Sequence, residues 1–155
     1  MKIGIVTPSF NQAEFISETI ESIIYQSGSF ELEYLIIDGG STDHTLSILK
    51  KYEDVIKNPN FKPNCKKLSF SWLSEPDRGQ SHAINKGFRI LTPDVCNWIC
   101  SDDKLLPNSI QAISNFFYEN PDASIMFGDC QKINRNGQIT GLTKGGKITQ
   151  TRLIK

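Results

Sequence analysis

Charge of one sign is the first thing this sequence lacks: 17 Lys and Arg residues balance 17 Asp and Glu residues over 155 positions. A chain without a net field has no long-range pull on nucleic acid or on an anionic membrane surface, so neither is an expected partner. Long apolar runs are missing too. No stretch reaches the ~18 consecutive apolar residues of a membrane-crossing helix. The amino terminus shows no signal-peptide pattern, because Lys2-Ile3-Gly4-Ile5-Val6 already reads as a strand. Cysteine is scarce and scattered: Cys65, Cys96, Cys100 and Cys130 form no C-x-x-C pair. Cys96 and Cys100 fall on one predicted strand, ~13 Å apart by strand rise and beyond disulfide reach. The four read as reduced thiols of a cytoplasmic protein, not as a zinc site. There are two histidines, His44 and His82, both near predicted helix starts, and no Ser-His-Asp order is evident. The first turn, Thr7-Pro8-Ser9-Phe10-Asn11, has no glycine. That excludes the close backbone approach by which G-x-G-x-x-G holds a dinucleotide pyrophosphate.

What is present is a 38% hydrophobic content, enough for one domain that buries roughly 70% of its unfolded surface. Strand and helix patterns alternate. After the opening strand, Phe15, Ile16, Thr19, Ile20, Ile23 and Ile24 repeat at helical spacing, which predicts a helix over Gln12–Gln26 capped by Asn11. A strand over Glu33–Ile37 leads to Ser41, Thr42 and Asp43, read as caps of a helix through Leu46, Leu49 and Tyr52. Residues 58–67 read as a surface loop and Leu68–Leu73 as a third strand. Gln80–Leu91 reads as a helix with Ala83, Ile84, Gly87 and Phe88 inward, and Val95–Cys100 as a buried fourth strand. Pro107 is expected to open a helix to Asn120 with Ile110, Ile113, Phe116 and Phe117 as its apolar stripe. Ala123–Phe127 reads as a further strand. Asn136-Gly137 predicts a type I′ hairpin between Gln131–Arg135 and Gln138–Leu142. The class is therefore α/β: a three-layer α/β/α sandwich with a mainly parallel central sheet and a late β-hairpin. Residues 1–142 are taken as one domain and 143–155 as an irregular, truncated tail.

In such sheets, ligands gather at the carboxyl ends of the strands. Thr7, Pro8, Ser9, Asp38, Asp77, Arg78, Asp102 and Asp103 all fall there. Ser101-Asp102-Asp103 closes the fourth strand with two adjacent carboxylates, hard oxygen ligands suited to a divalent metal that would hold a diphosphate. Arg78 offers a planar fork to diphosphate oxygens. Each motif also has a structural reading. Asp38-Gly39-Gly40 would be a turn, Asp77-Arg78-Gly79 a turn with a surface ion pair, and Asp102-Asp103 a solvated turn.

The strings IVTPSFNQAEFISETIESI, YLIIDGGSTDHTLSIL, SEPDRGQSHAINKGF and WICSDDKLLP resemble the nucleotide-binding half of a family 2 inverting glycosyltransferase of the GT-A fold. They span most of residues 3–129 in the family's order. The resemblance implies a nucleotide-sugar donor, often a UDP-sugar, and a metal cofactor, manganese or magnesium. It makes residues 1–142 a donor-binding domain. It implies that Thr7, Pro8 and Ser9 line the nucleoside pocket and that Asp38 meets the base or ribose. Ser101-Asp102-Asp103 looks like the D-x-D element, with Asp102 toward the ribose and Asp103 on the metal. Asp77, Arg78 and Gly79 resemble the border of the diphosphate and sugar, and His82 departs from the small or acidic residue expected beside them. The implied reaction is a single inverting displacement onto an acceptor hydroxyl of a glycan, lipid-linked or protein acceptor, with peripheral contact at the inner membrane face through that acceptor. The general base belongs to the family's acceptor-binding part, and Asp129 is the candidate within this chain. Two other readings stay open: a truncated or degenerate binding module for nucleotide sugar and metal, and a nucleotidyltransferase, against which the missing glycine-rich phosphate loop argues.

Overall fold

Isoleucine, leucine and valine crowd the opening strand and the one after it, and a strand apolar on both faces has to be covered on both. The computed structural model of the chain, which describes residues 1–145, shows what covers them. β1 (Lys2–Ser9) and β2 (Gly28–Asp38) lie at the centre of a four-stranded sheet, flanked by β3 (Cys65–Ser74) and β4 (Val95–Trp98) in the order β3-β2-β1-β4. All three pairings are parallel, and they bring Ser9, Asp38 and Ser74 into one row at the carboxyl edge. α1 (Ile16–Ile24), α2 (Thr45–Lys57) and α4 (Ser109–Glu119) serve one face. There Ile3, Ile5, Phe30, Leu32, Tyr34 and Ile36 pack with Ile16, Ile20, Ile23, Leu49 and Ile110. α3 (Gln80–Ile90) covers the other face through Val6, Leu35, Ile37 and Ala83. Gly87 permits that contact, since a Cβ there would come within 2.5 Å of Val6 Cγ1. The α/β/α layering predicted from the alternation is the observed one.

Several local expectations differ. α1 begins at Ile16, not Gln12, because residues 12–15 form a turn in which the Phe15 N–H donates to Gln12 O. Asn11 does not cap α1. It takes a left-handed φ of 53°, and its Oδ1 accepts from the N–H groups of Thr42 and Asp43 in the next loop. α2 likewise starts at Thr45, past the expected caps; of these only Asp43 reaches it, accepting the Thr45 N–H. β4 was expected to be buried, yet Cys96, Asn97 and Trp98 are exposed, since among the described residues the strand is paired on one side only, to β1.

The chain divides into two compact units, Met1–Asn115 and Phe116–Lys155. In the second, β5 (Cys130–Ile133) and β6 (Ile139–Thr143) form the antiparallel hairpin foreseen around Asn136-Gly137. The turn is not type I′. That type needs a positive φ at both central residues, whereas here Gly137 takes 75° and Asn136 does not, and the loop closes from Gly137 N–H to Asn134 O. Ala123–Phe127 is not a strand: among the described residues it has no ladder partner, and Ile125 and Phe127 are exposed. The tail beyond residue 145 lies outside the described residues. No helix of the described residues is long and apolar enough to cross a membrane.

Candidate functional site

A row of parallel strand ends leaves backbone and side chains unpaired at one edge, and the loops that follow wall off a crevice. In the first unit this edge holds a cavity of about 720 Å³, lined from the end of β1 by Pro8, Ser9, Phe10 and Gln12. The end of β2 adds Gly39, the approach to α3 adds Asp77, Gly79, Gln80 and Ala83, and the segment after β4 adds Cys100, Ser101 and Asp102. Of the residues picked from the sequence, Pro8, Ser9, Asp77, Gly79, Ser101 and Asp102 therefore line one cavity. Such a volume suits a small organic ligand.

The first two motifs are interlocked. Asp38 is fully buried, and its carboxylate accepts from the Gly40 and Ser41 N–H groups and from the Ser41 and Ser74 hydroxyls. Ser41 Oγ in turn accepts the Asn11 N–H at 2.7 Å, Thr45 Oγ1 the Gln12 N–H at 2.9 Å, and Asp43 the Ala13 N–H at 3.1 Å. The loop after β2 thus holds the loop after β1, which carries Phe10 and Gln12. Thr7 is also fully buried, and its Oγ1 accepts from the Tyr34 hydroxyl. Thr7 and Asp38 stand behind the cavity wall, not on it. Ser9 lines the cavity, and its buried Oγ has no protein partner among the described residues.

The border toward α3 is a tight turn. Asp77 Oδ1 accepts the Gly79 N–H at 2.7 Å, and Asp77 Oδ2 lies 3.1 Å from where a Cβ on Gly39 would stand, so a larger residue at 39 would press the carboxylate aside by a few tenths of an ångström. Gly79 takes a φ of 99° and starts α3 with no side-chain cap; the His82 N–H returns to Gly79 O, and the Gln80 and Ser81 N–H groups are left open among the described residues. Arg78, between two lining residues in the chain, is exposed, and its N–H meets His82 Nδ1 at 3.4 Å.

Behind β4 a turn closes from Asp103 N–H to Cys100 O. It gathers Cys100 Sγ and the Asp102 and Asp103 carboxylates within 4.8 Å of one another. Withdrawal from water and then the Asp102 charge push the Asp103 carboxyl above the usual carboxylate range. Burial, with Asp103 and Asp102, raises the Cys100 thiol as well, while Gln80 Nε2 reaches its sulfur at 3.1 Å. An Asp103 carboxyl held up in part by the neighbouring Asp102 charge fits a divalent cation, whose charge removes the conflict. The Asp102 and Asp103 oxygens would be the ligands of such a cation.

The sign of that conflict gives a test. A carboxyl with a higher pKa folded than unfolded weakens the fold when it ionises. The loss is complete above the folded pKa and absent below the unfolded value. In metal-free protein, Asp103→Asn is therefore expected to raise Tm at pH 7, with the gain vanishing as pH falls below about 3. Thermal melts at the two pH values decide it; no gain at pH 7 would refute the crowding.

Phe10, Gln12, Gly39, Gln80, Ala83 and Cys100 also line the cavity but were not singled out in the sequence. Their signal was position alone: each follows a strand end, lies in the first turns of the next helix, or precedes the acidic pair. Asp129 is exposed in the second unit, where it accepts the Gly145 N–H at 2.8 Å.

This sheet, with its acidic turn after the fourth strand, is the GT-A arrangement. The fold of a mannosyltransferase from Pyrobaculum calidifontis, solved with GDP-Man and Mn2+, superposes with a TM-score of 0.63 at 21% identity, over 86% of this chain and 35% of that one. The S. aureus TarS 1–349 structure in complex with UDP-GlcNAc gives 0.60 at 25% identity, over 77% of this chain and 32% of that one. An uncharacterized glycosyltransferase of Nostoc sp. is 27% identical over 126 residues, 81% of this chain and 36% of the relative. The model of the family described as "Glycosyl transferase family 2" matches residues 4–153, and the chain belongs to that family. It spans about a third of the length of these relatives.

Proposed function

We propose that this chain is the donor-binding portion of an inverting glycosyltransferase that uses a nucleotide-diphosphate sugar, with a UDP-sugar favoured, and a divalent metal. The observation that carries the reading is a cavity at the strand ends with Asp102 in its lining, where Asp102, Asp103 and Cys100 bring their ligand atoms within 4.8 Å of one another. Family membership and the UDP-GlcNAc held by TarS support it.

In this reading Pro8, Ser9 and Phe10 border the nucleoside, and the unpartnered Ser9 Oγ is free to bond a sugar or base oxygen. Thr7 and Asp38 keep that wall in place from behind. Asp102 faces the ribose. The open N–H groups at the start of α3, with Arg78, meet the diphosphate. A divalent cation on Asp103 would supply positive charge against the diphosphate as it leaves. An acceptor hydroxyl oxygen bonds to the anomeric carbon as the bond to the diphosphate oxygen breaks, and the nucleoside diphosphate departs with the electron pair. The acceptor's proton passes to a carboxylate base. The acceptor is a glycan, lipid-linked or protein hydroxyl.

The test is a panel of UDP- and GDP-sugars with MnCl2, with and without acceptor sugars, read as released nucleoside diphosphate. Acceptor-stimulated release is the expected result. Binding without release would mark a binding module, release of pyrophosphate a nucleotidyltransferase, and no binding in manganese would end the proposal.

A further inference from the structure

The acidic turn after β4 is exposed at Asp102, Asp103 and Lys104, and short exposed turns are mobile unless something fixes their ends. Here the ends are fixed by one helix. Thr19, Ser22 and Gln26 repeat at i, i+3 and i+7, so they share one stripe of α1 and its C-terminal turn. Thr19, fully buried, donates from Oγ1 to the Ser101 carbonyl at 2.8 Å. Ser22 Oγ accepts the Leu105 N–H at 3.1 Å. The Gln26 amide, 4% exposed, donates to the Leu106 carbonyl at 2.9 Å and accepts the Ile110 N–H at 3.3 Å. Four backbone groups between residues 101 and 110 are thereby bound by three side chains from 80 to 84 positions earlier in the chain.

A purely packing role needs no polar side chains there. The rest of the inward face of α1 is Ile16, Ile20, Ile23 and Ile24, and a buried hydroxyl or amide is costly unless bonded. The bonds bracket Asp102 and Asp103 on both sides, at Ser101 and at Leu105. We infer that Thr19, Ser22 and Gln26 are positioning residues that hold the Asp102–Asp103 turn in its metal-binding geometry, so that α1 sets the cation affinity without touching the cation. This rests on the metal reading proposed above. Outer-shell groups that orient ligands act in this way, and losing one costs about 10–100-fold in metal affinity.

Thr19→Val keeps the shape and removes the donor to Ser101. The manganese Kd in the presence of UDP, read from the electron paramagnetic resonance of free Mn2+, is expected to rise about 10-fold in this variant. Thr19→Ser restores the hydroxyl and should return the Kd to the wild-type value, and UDP binding in EDTA should match wild type. Amide exchange across residues 101–105 of the metal-free protein should quicken in Thr19→Val and not in Thr19→Ser. Equal manganese affinity in wild type and Thr19→Val, or an equal loss of UDP binding in EDTA, overturns the inference. Should Thr19→Val fail to fold, Ser22→Ala decides: weaker manganese binding supports the clamp and unchanged binding overturns it. A wild-type chain that binds no manganese sinks the proposed function and this inference together, whereas manganese held equally by wild type and variant sinks the inference alone.

Discussion

Replacing Asp103 with alanine is expected to abolish manganese-dependent binding of UDP while the protein stays folded. The two consequences separate because the residue is exposed and its carboxyl lies beside Cys100 and Asp102. The turn itself closes through backbone, from Asp103 N–H to Cys100 O, and survives the change. Folding therefore loses little and is relieved of a like-charge contact. Metal binding loses a ligand outright, and since outer-shell losses alone cost 10–100-fold, the expected loss here is about 100-fold or more. Calorimetry of UDP with MnCl2, against the same titration in EDTA, measures it. Wild type and Asp103→Ala should agree in EDTA and diverge in manganese; equal affinities in manganese would remove Asp103 from the metal site.

Asp38→Ala is expected to do the opposite, weakening the fold first and the site through it. Its carboxylate accepts four hydrogen bonds from Gly40, Ser41 and Ser74 in a place with no water contact. Alanine leaves four donors unsatisfied, and a single buried unsatisfied group costs about 1–3 kcal/mol. Some of these donors will relax, so roughly 3–5 kcal/mol of unfolding free energy is the expected loss. Ser41 also holds the Asn11 N–H, so its release loosens the loop that carries Phe10 and Gln12 into the cavity. Urea denaturation gives the stability change, and a loss below about 1 kcal/mol would show that the turn stands without the carboxylate.

Asp38 also shows where reading the chain in one dimension stops. Its position at a strand end was legible from Tyr34-Leu35-Ile36-Ile37, and so was the glycine turn behind it. Whether its side chain faces a ligand or the protein was not. That depends on Ser74, 36 residues away, whose hydroxyl arrives only when β3 pairs with β2. Asn11 failed as a cap of α1 for a similar reason. The local pattern of a short polar residue before a helix is real, but Thr42 and Asp43 offer their N–H groups from across the sheet edge. Ala123–Phe127 has strand composition, yet a strand needs a second one to bond, and none is supplied among the described residues.

Layering, element order as far as α4 and the acidic pair after the fourth strand were set by the sequence alone, because apolar periodicity and turn residues act over a few positions and survive without knowledge of neighbours. The partners of the polar side chains were decided by tertiary structure: Thr7 with Tyr34, Thr19 with Ser101, and Asp38 with Ser74. Hydrogen bonds and charge reach only a few ångströms through space. Which residues come that close is settled when strands 29 to 92 positions apart in the chain are laid side by side.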